Sequence, residues 1–501
     1  EGSSTPEGSS ENPWKVGPEG SEESVQAYTN GNGGLVVTGN GSIGDNKPWT
    51  GDDIKNGITE VDIGPGVTVS ADDFTGCANI EKIVVPHGQG ETYKTMLGDP
   101  LAALVEELPN YLAFTARNGT VDVGMITNDD DNVLEPLELE WASADNPFAW
   151  SDFLIDNEDT AVSLADGKTI YIRRKGFETA LALSTWGDYY GERAFRFYGS
   201  DGVKLEASGN VMSLLDQTCQ QTEVGEWAFY DLFNGRWSWP EDILTSAPEL
   251  PATSIAVGCY GEMFNLCMGL TNAPALPAMN LAEECYRDMF ADCRSLTRAP
   301  ELPAMNLAPQ CYSSMFSTCI ALTNAPALPA TTLPERCYDT MFYNCSALTN
   351  VPQLSARMFT GEVSFSLMFE ECGQLSALKV EFEDWDEEQH YPTANWMNGV
   401  ASEGVFTCPV GLPVKVDGDI HFGVNRTPDG WNVWLINHKG VIHYSLEPEE
   451  FNAAETAHVT VDLRALAGAK VTDLKSGATI PSDRSFSVDV APGEWKLINI
   501  R

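Results

Sequence analysis

Oxygen-rich turns, a few histidines, clustered aromatic rings and a ladder of cysteines are the parts of this chain whose types and spacing suit chemistry. Asn128-Asp129-Asp130-Asp131-Asn132 gathers the oxygen donors that calcium takes. It lacks the EF-hand spacing and the bidentate glutamate, so it reads as a solvated turn, with a structural calcium near Asp129 and Asp131 as the alternative. Glu381 to Glu388 reads as a solvated charge run. Paired carboxylates about 5–10 Å apart can cleave glycosidic bonds. Among 73 acidic residues some pair meets that separation by chance, and no motif selects one. His438 and His443 lie five apart with no serine or cysteine signature beside them. Neither a nucleophile elbow nor a P-loop is present. No catalytic residue is assigned, and the chain is expected not to be an enzyme. Trp186-Gly187-Asp188-Tyr189-Tyr190 and Trp237-Ser238-Trp239 offer flat rings near acids, which either stack on sugars or plug a junction between modules.

The cysteines belong to a repeat. Leu-Pro-Ala recurs at Leu250, Leu276, Leu302 and Leu328, every 26 residues. Cys-Tyr returns at Cys259, Cys285, Cys311 and Cys337, Met-Phe at Met263, Met289, Met315 and Met341, and a second cysteine at Cys267, Cys293, Cys319 and Cys345. A fixed period of this size marks a solenoid, in which stacked units hide one another's apolar faces. Within a copy, Leu281, Cys285, Met289, Cys293 and Leu296 are spaced by four, four, four and three, which predicts a short helix with one apolar stripe. Pro309 and Pro334 open that helical part in two copies. The Leu-Thr-x-Ala-Pro-x-Leu-Pro half, as at Leu296 to Pro303, is too rich in proline for anything but an extended path. Each unit is therefore expected to be a short strand plus a short helix. Degenerate copies close both ends. Phe229 and Phe233 stand upstream, with a five-residue insertion near Trp237 and Trp239; Phe365, Met368 and Cys372 stand downstream, one residue out of step.

This pattern resembles the BspA-type leucine-rich repeats of Bacteroidota surface proteins, in the longer Cys-Tyr-x-x-Met-Phe-x-x-Cys-x-x-Leu-Thr variant. The resemblance implies a surface-exposed protein, binding host matrix proteins or other cells in some members. Ile58 to Val67, followed by Phe74, Cys77, Ile80, Ile83 and Val85-Pro86, resembles the shorter form of the same repeat, with one clear copy. Leu412-Pro413-Val414, Gly430-Trp431, Leu435-Ile436-Asn437 and Lys439-Gly440-Val441 resemble the all-β C-terminal accessory domain of some Bacteroidota glycoside hydrolases.

Composition sets outer bounds. A formal charge of −44 repels a phosphate backbone and an anionic membrane surface alike, so no nucleic-acid partner is expected. No run of about 20 apolar residues is present to span a membrane. Residues 1–24 read as a low-complexity tether at the mature end of an exported protein. The Bacteroidota resemblance places a lipidated cysteine before it, which makes a presumed N-terminal lipid anchor the route to membrane contact and the outer-membrane surface the expected location. Residues 25–106 then form a small truncated leucine-rich-repeat-type module, 107–207 a β-sandwich, 208–408 the repeat solenoid and 409–501 a C-terminal β-sandwich. The fold class is thus multidomain, a leucine-rich-repeat-like solenoid flanked by β-sandwich modules. The twelve cysteines are expected to be free and buried. Eight helical residues separate the pair in one copy by about 12 Å, beyond disulfide reach, and neighbouring copies stand at a helix packing distance of about 8–10 Å.

The strand face carries the candidate binding residues. Asn272, Arg298, Asn324 and Asn350 form one column, and Glu249, Ala275, Glu301 and Ala327 another. Polar columns on a repeat face present a binding surface or simply keep it soluble. The expected function is non-enzymatic surface binding of an extracellular protein or glycan through the array. The alternative is an accessory glycan-binding or docking lipoprotein of an outer-membrane nutrient-uptake complex, with contact to its transporter. A glycoside hydrolase subunit is a third reading, resting only on the C-terminal resemblance.

Overall fold

The computed structural model describes residues 6–128, 138–154, 161–176, 192–356, 358–359, 365–380, 399–400 and 405–407, and from 415 onward the strands of a C-terminal module with their shorter turns. It is rich in β-structure, and Gly90–Leu97 is the α-helix among the described residues. No helix there is long and apolar enough to cross a membrane. Two compact units are present: Glu1–Ile126 with Glu135–Leu183 and Phe197–Gln221, and Thr127–Leu134 with Ser184–Arg196 and Thr222–Arg501.

In the first unit, the strands Gly34–Gly39, Glu60–Ile63, Lys82–Val85 and Val105–Glu107 stack in parallel, with Leu35, Val61, Ile83 and Val105 in line. The steps of 26, 22 and 22 residues make three coils where one copy was legible. An antiparallel hairpin precedes them. Trp14–Lys15 joins it against Gln26 and Ala27, and Trp14 and Val16 are buried. The second half of the expected tether is therefore folded, because its tryptophan and valine complete this core. The next module is antiparallel, with strands Ser151–Phe153, Leu139–Ser143, Thr169–Arg174, Leu112–Arg117 and Lys204–Ser208 in that order. A second sheet pairs Val121–Asn128 with Val162–Leu164, and Phe114 meets Phe197 edge-on at 5.2 Å.

The 26-residue repeats lie in the second unit, and the expected helix does not form there. An α-helix turns 100° per residue, so an apolar spacing of exactly four drifts 40° per step and soon leaves the core. The chain adopts a four-residue period instead. Amides of Cys259, Gly261, Met263, Asn265 and Cys267 close i to i−3 turns at 3.0–3.4 Å. Those of Gly258, Tyr260, Glu262, Phe264 and Leu266 cross to carbonyls of the next coil, Glu283 to Ala291, at 2.8–3.0 Å. Every fourth residue takes positive φ: 258, 262 and 266, then 284, 288 and 292, then 310, 314 and 318. Adjacent pairs therefore point inward together, as Cys259-Tyr260 and Met263-Phe264 do.

Two aromatic files result. Tyr260, Tyr286, Tyr312 and Tyr338 stack at 5.9–6.0 Å, ended by Phe229 and Phe365. Phe195, Phe233, Phe264, Phe290, Phe316, Phe342 and Phe369 stack at 5.4–5.7 Å. Both degenerate copies take part. Phe229 donates its amide to Cys259 and Thr340 donates to Ser366, offsets of 30 and 26 against 25 between the regular coils. The extended halves touch through single parallel bridges such as Asn272 to Arg298 and Asn324 to Asn350, since the prolines remove ladder donors. In the C-terminal module, Lys415–Asp417, Ala457–Asp462 and Ser485–Val490 form one sheet. His421–Thr427, Gly430–Ile436, Trp495–Ile500, Val471–Asp473 and Thr479–Ile480 form the other, and Val433, Val461, Phe486 and Ile498 fill the core.

Backbone strain and a buried acid give two tests. Thr318 holds φ +60, a conformation that β-branched residues resist, while Asn344 fills the equivalent place in the next coil. Thr318→Asn should raise stability by about 0.5–1 kcal/mol in chemical denaturation. Asp62 sits between Val36 and Val84 on the parallel stack and is 9% exposed. Burial, reinforced by Glu60 and opposed by Lys82, pushes its carboxyl up to about 7. The native state then holds a proton that the unfolded chain releases, so stability falls as pH rises from about 4 through 7. Asp62→Asn should raise the unfolding free energy by about 1–3 kcal/mol near pH 8 and change little near pH 4.

Candidate functional site

The stacked turns place the Leu-Thr segment of every copy at the same height on the surface. Asn272, Arg298, Asn324 and Asn350 are all exposed there. Their neighbours order them: Asn272 donates to Thr271 Oγ1 at 3.1 Å, Asn324 to Thr323 Oγ1 at 2.9 Å, and Asn350 to Asn324 Oδ1 at 3.3 Å. The threonines are the part that sequence reasoning missed. Hydroxyls of Thr271, Thr297 and Thr349 donate to the carbonyls of Thr245, Thr271 and Thr323 at 3.2–3.4 Å, binding each copy to the one before. The signal was in plain view, since Leu-Thr returns with the same period. A second amide ladder joins Asn306 to Asn280 at 2.7 Å, beside the half-exposed Met279 and Met305.

Arg298 stands in the amide column with no ion-pair partner among the described residues, although the chain carries an excess of 44 negative charges. Glu301 is exposed in the neighbouring column. The column as a whole offers amide and hydroxyl groups around one cation, which suits hydrogen-bonded recognition. It supplies no nucleophile.

The insertion between Phe233 and Phe264 behaves differently at its two tryptophans. Trp237 donates its indole N–H to the buried Asp231 at 2.6 Å, and Arg236 pairs with the same carboxylate oxygen at 2.7 Å while lying 4.9 Å from the Trp237 ring centre. Trp237 is thus tied into the fold. Trp239 is 55% exposed. Trp186, Tyr189 and Tyr190 lie outside the described residues, as do Asp129 and Asp131 of the acidic turn, His438 and His443.

The cysteines are free among the described residues, and all but Cys219 of these are buried. No helix separates the two thiols of a copy and neighbouring coils sit at hydrogen-bonding distance, so helical spacing is not what keeps the thiols free. The thiols have another occupation. Cys267, Cys293, Cys319, Cys345 and Cys372 each donate S–H to a phenylalanine carbonyl of the preceding coil, from Phe233 to Phe342, at 3.0–3.1 Å. Burial pushes the Cys311 and Cys372 thiols up to about 12, and holds those of Cys285, Cys293 and Cys345 well above the ordinary thiol value. Such thiols stay protonated near neutral pH and make poor nucleophiles or metal ligands. An aromatic disulfide reagent near pH 8 should therefore leave the ten buried described thiols unmodified in the native protein and label them on unfolding.

No family model matches the chain, and no curated relative matches it. A solved structure similar to it is a leucine-rich repeat protein from Eubacterium ventriosum, at 12% identity, covering 77% of this chain and 94% of that one, with a TM-score of 0.14.

Proposed function

We propose that the protein is a non-enzymatic, exported binding protein whose stacked copies form a leucine-rich-repeat-type solenoid of the BspA kind, held at the cell surface. The observation that carries this is the exposed column Asn272, Arg298, Asn324 and Asn350, fixed in register by the threonine and asparagine ladders beneath it. Side chains ordered before binding lose little entropy on contact, so a rigid column binds better than the same residues on a loop. Its partner is an extracellular protein or a glycan, recognised through hydrogen bonds and one guanidinium. The charge of −44 argues against nucleic acid.

A second reading, an accessory glycan-binding lipoprotein of an outer-membrane uptake complex, draws on the exposed ring of Trp239 at the end of the array. Protein and glycan arrays probed with the full chain and with a variant carrying Asn272→Ala, Arg298→Ala, Asn324→Ala and Asn350→Ala test the first reading. Loss of at least tenfold in affinity, about 1.4 kcal/mol, with an unchanged unfolding midpoint is expected. Undiminished binding would move recognition off the column, and loss with Trp239→Ala alone would favour the second reading.

A further inference from the structure

The C-terminal module has one sheet face that its core does not use. Trp431, Val433, Leu435, Ile498, Ile500 and Val471 turn inward, so the alternate residues of the same strands turn outward. Register then lines up Asn432, Asn499, Thr472 and Thr479 across four strands in one uncharged polar row, in which Asn499 is buried, Asn432 and Thr472 are partly buried and Thr479 is exposed. Beside it run Trp434 with Leu497, and then Trp495. Trp495 is 48% exposed, and Lys475 sits over its ring at 4.8 Å from the centre.

The amides of the row are already oriented. Asn499 donates from Nδ2 to Asn432 Oδ1 at 2.8 Å and to the Trp431 carbonyl at 3.5 Å. Asn432 therefore has its amide oxygen engaged and its orientation fixed, while the half-buried indole of Trp434 lies next to it along the strand. The carboxylates at the strand ends are turned away into local bonds: Asp473 accepts from the amides of Lys475 and Ser476, and Glu494 from the amide of Ala491 and from Lys496. On a chain with 73 acidic residues, a face whose described outward side chains along these strands include no acid selects an uncharged partner.

We propose that this outer face binds a neutral oligosaccharide. A pyranose ring is apolar on its C–H face and polar along its hydroxyl edge, and the sheet offers flat indoles beside a row of amides and hydroxyls in matching order. The Lys475 contact is a surface cation–π pair, weak enough for a sugar to displace. This site is separate from the repeat column, and each is tested by its own variant.

Titration of the full chain with cellohexaose, maltohexaose, xylohexaose and mannohexaose, followed by tryptophan fluorescence and calorimetry, tests the assignment. At least one should bind with Kd below about 1 mM. Trp495→Ala should weaken it at least tenfold and Asn432→Ala several-fold, with Trp495→Phe restoring part of the loss and the array variant binding as wild type. Trp495 is half exposed, so its removal leaves the sandwich core intact, which an unchanged circular dichroism spectrum checks. Absence of binding by all four sugars, or binding equal to wild type in Trp495→Ala, overturns the proposal. So does a wild-type dimer in sedimentation that Trp495→Ala dissolves, since the face would then belong to a second copy of the chain.

Discussion

Everything in the repeat region depends on how its backbone amides are shared out. Alternate residues face different obligations: one amide closes the turn within its own coil, and the next crosses to the neighbouring coil. A buried N–H or C=O without a partner is costly, and this alternation leaves few such groups in the coils. It also forces positive φ at every fourth residue, including Glu284, Asp288 and Asp292, which a lone turn would resist. The strain is tolerated because each such residue is held by hydrogen bonds from both sides.

Side chains follow the same division. Inward pairs meet their equivalents one coil away, which produces the tyrosine and phenylalanine files in offset-stacked geometry. Cysteine at the second position is more than a small apolar filler. Its thiol reaches a phenylalanine carbonyl of the preceding coil and so adds a second donor to an oxygen that already accepts a turn amide, as Phe264 accepts from Cys267 as well as from the Cys293 thiol. Outward positions are relieved of packing, and there the sequence varies between acids, hydroxyls and amides. Rigidity inside and freedom outside are two results of one hydrogen-bond pattern, and a binding surface needs both.

Much of this was written in the chain. The period of 26 residues, the capping copies with their offsets, the exposed amide column and the free state of the described cysteines were all legible, because each depends on residue identity at fixed spacing. β-Structure was expected across 107–207 and 409–501, and strands form there near Leu139, Thr169, Val459 and Phe486. Of the parallel coils of the N-terminal module one was legible and the others were not, since Leu35, Val61, Ile83 and Val105 are separated by unequal steps and share little beyond being apolar. Trp14 and Val16 were hidden in a stretch of glycine, serine and glutamate whose composition spoke louder than its two apolar residues.

What the sequence determined by itself was the repeat and which residues it buries, because burial follows from apolar identity recurring at one period. What only the tertiary structure decided was the backbone that carries those residues. Cys, Met and Cys at intervals of four suit a helix locally, and the hydrogen bonds that select stacked turns instead exist only between coils. The same is true of the C-terminal face, where Asn432, Asn499 and Thr472 are distant in the chain and become one row through strand register.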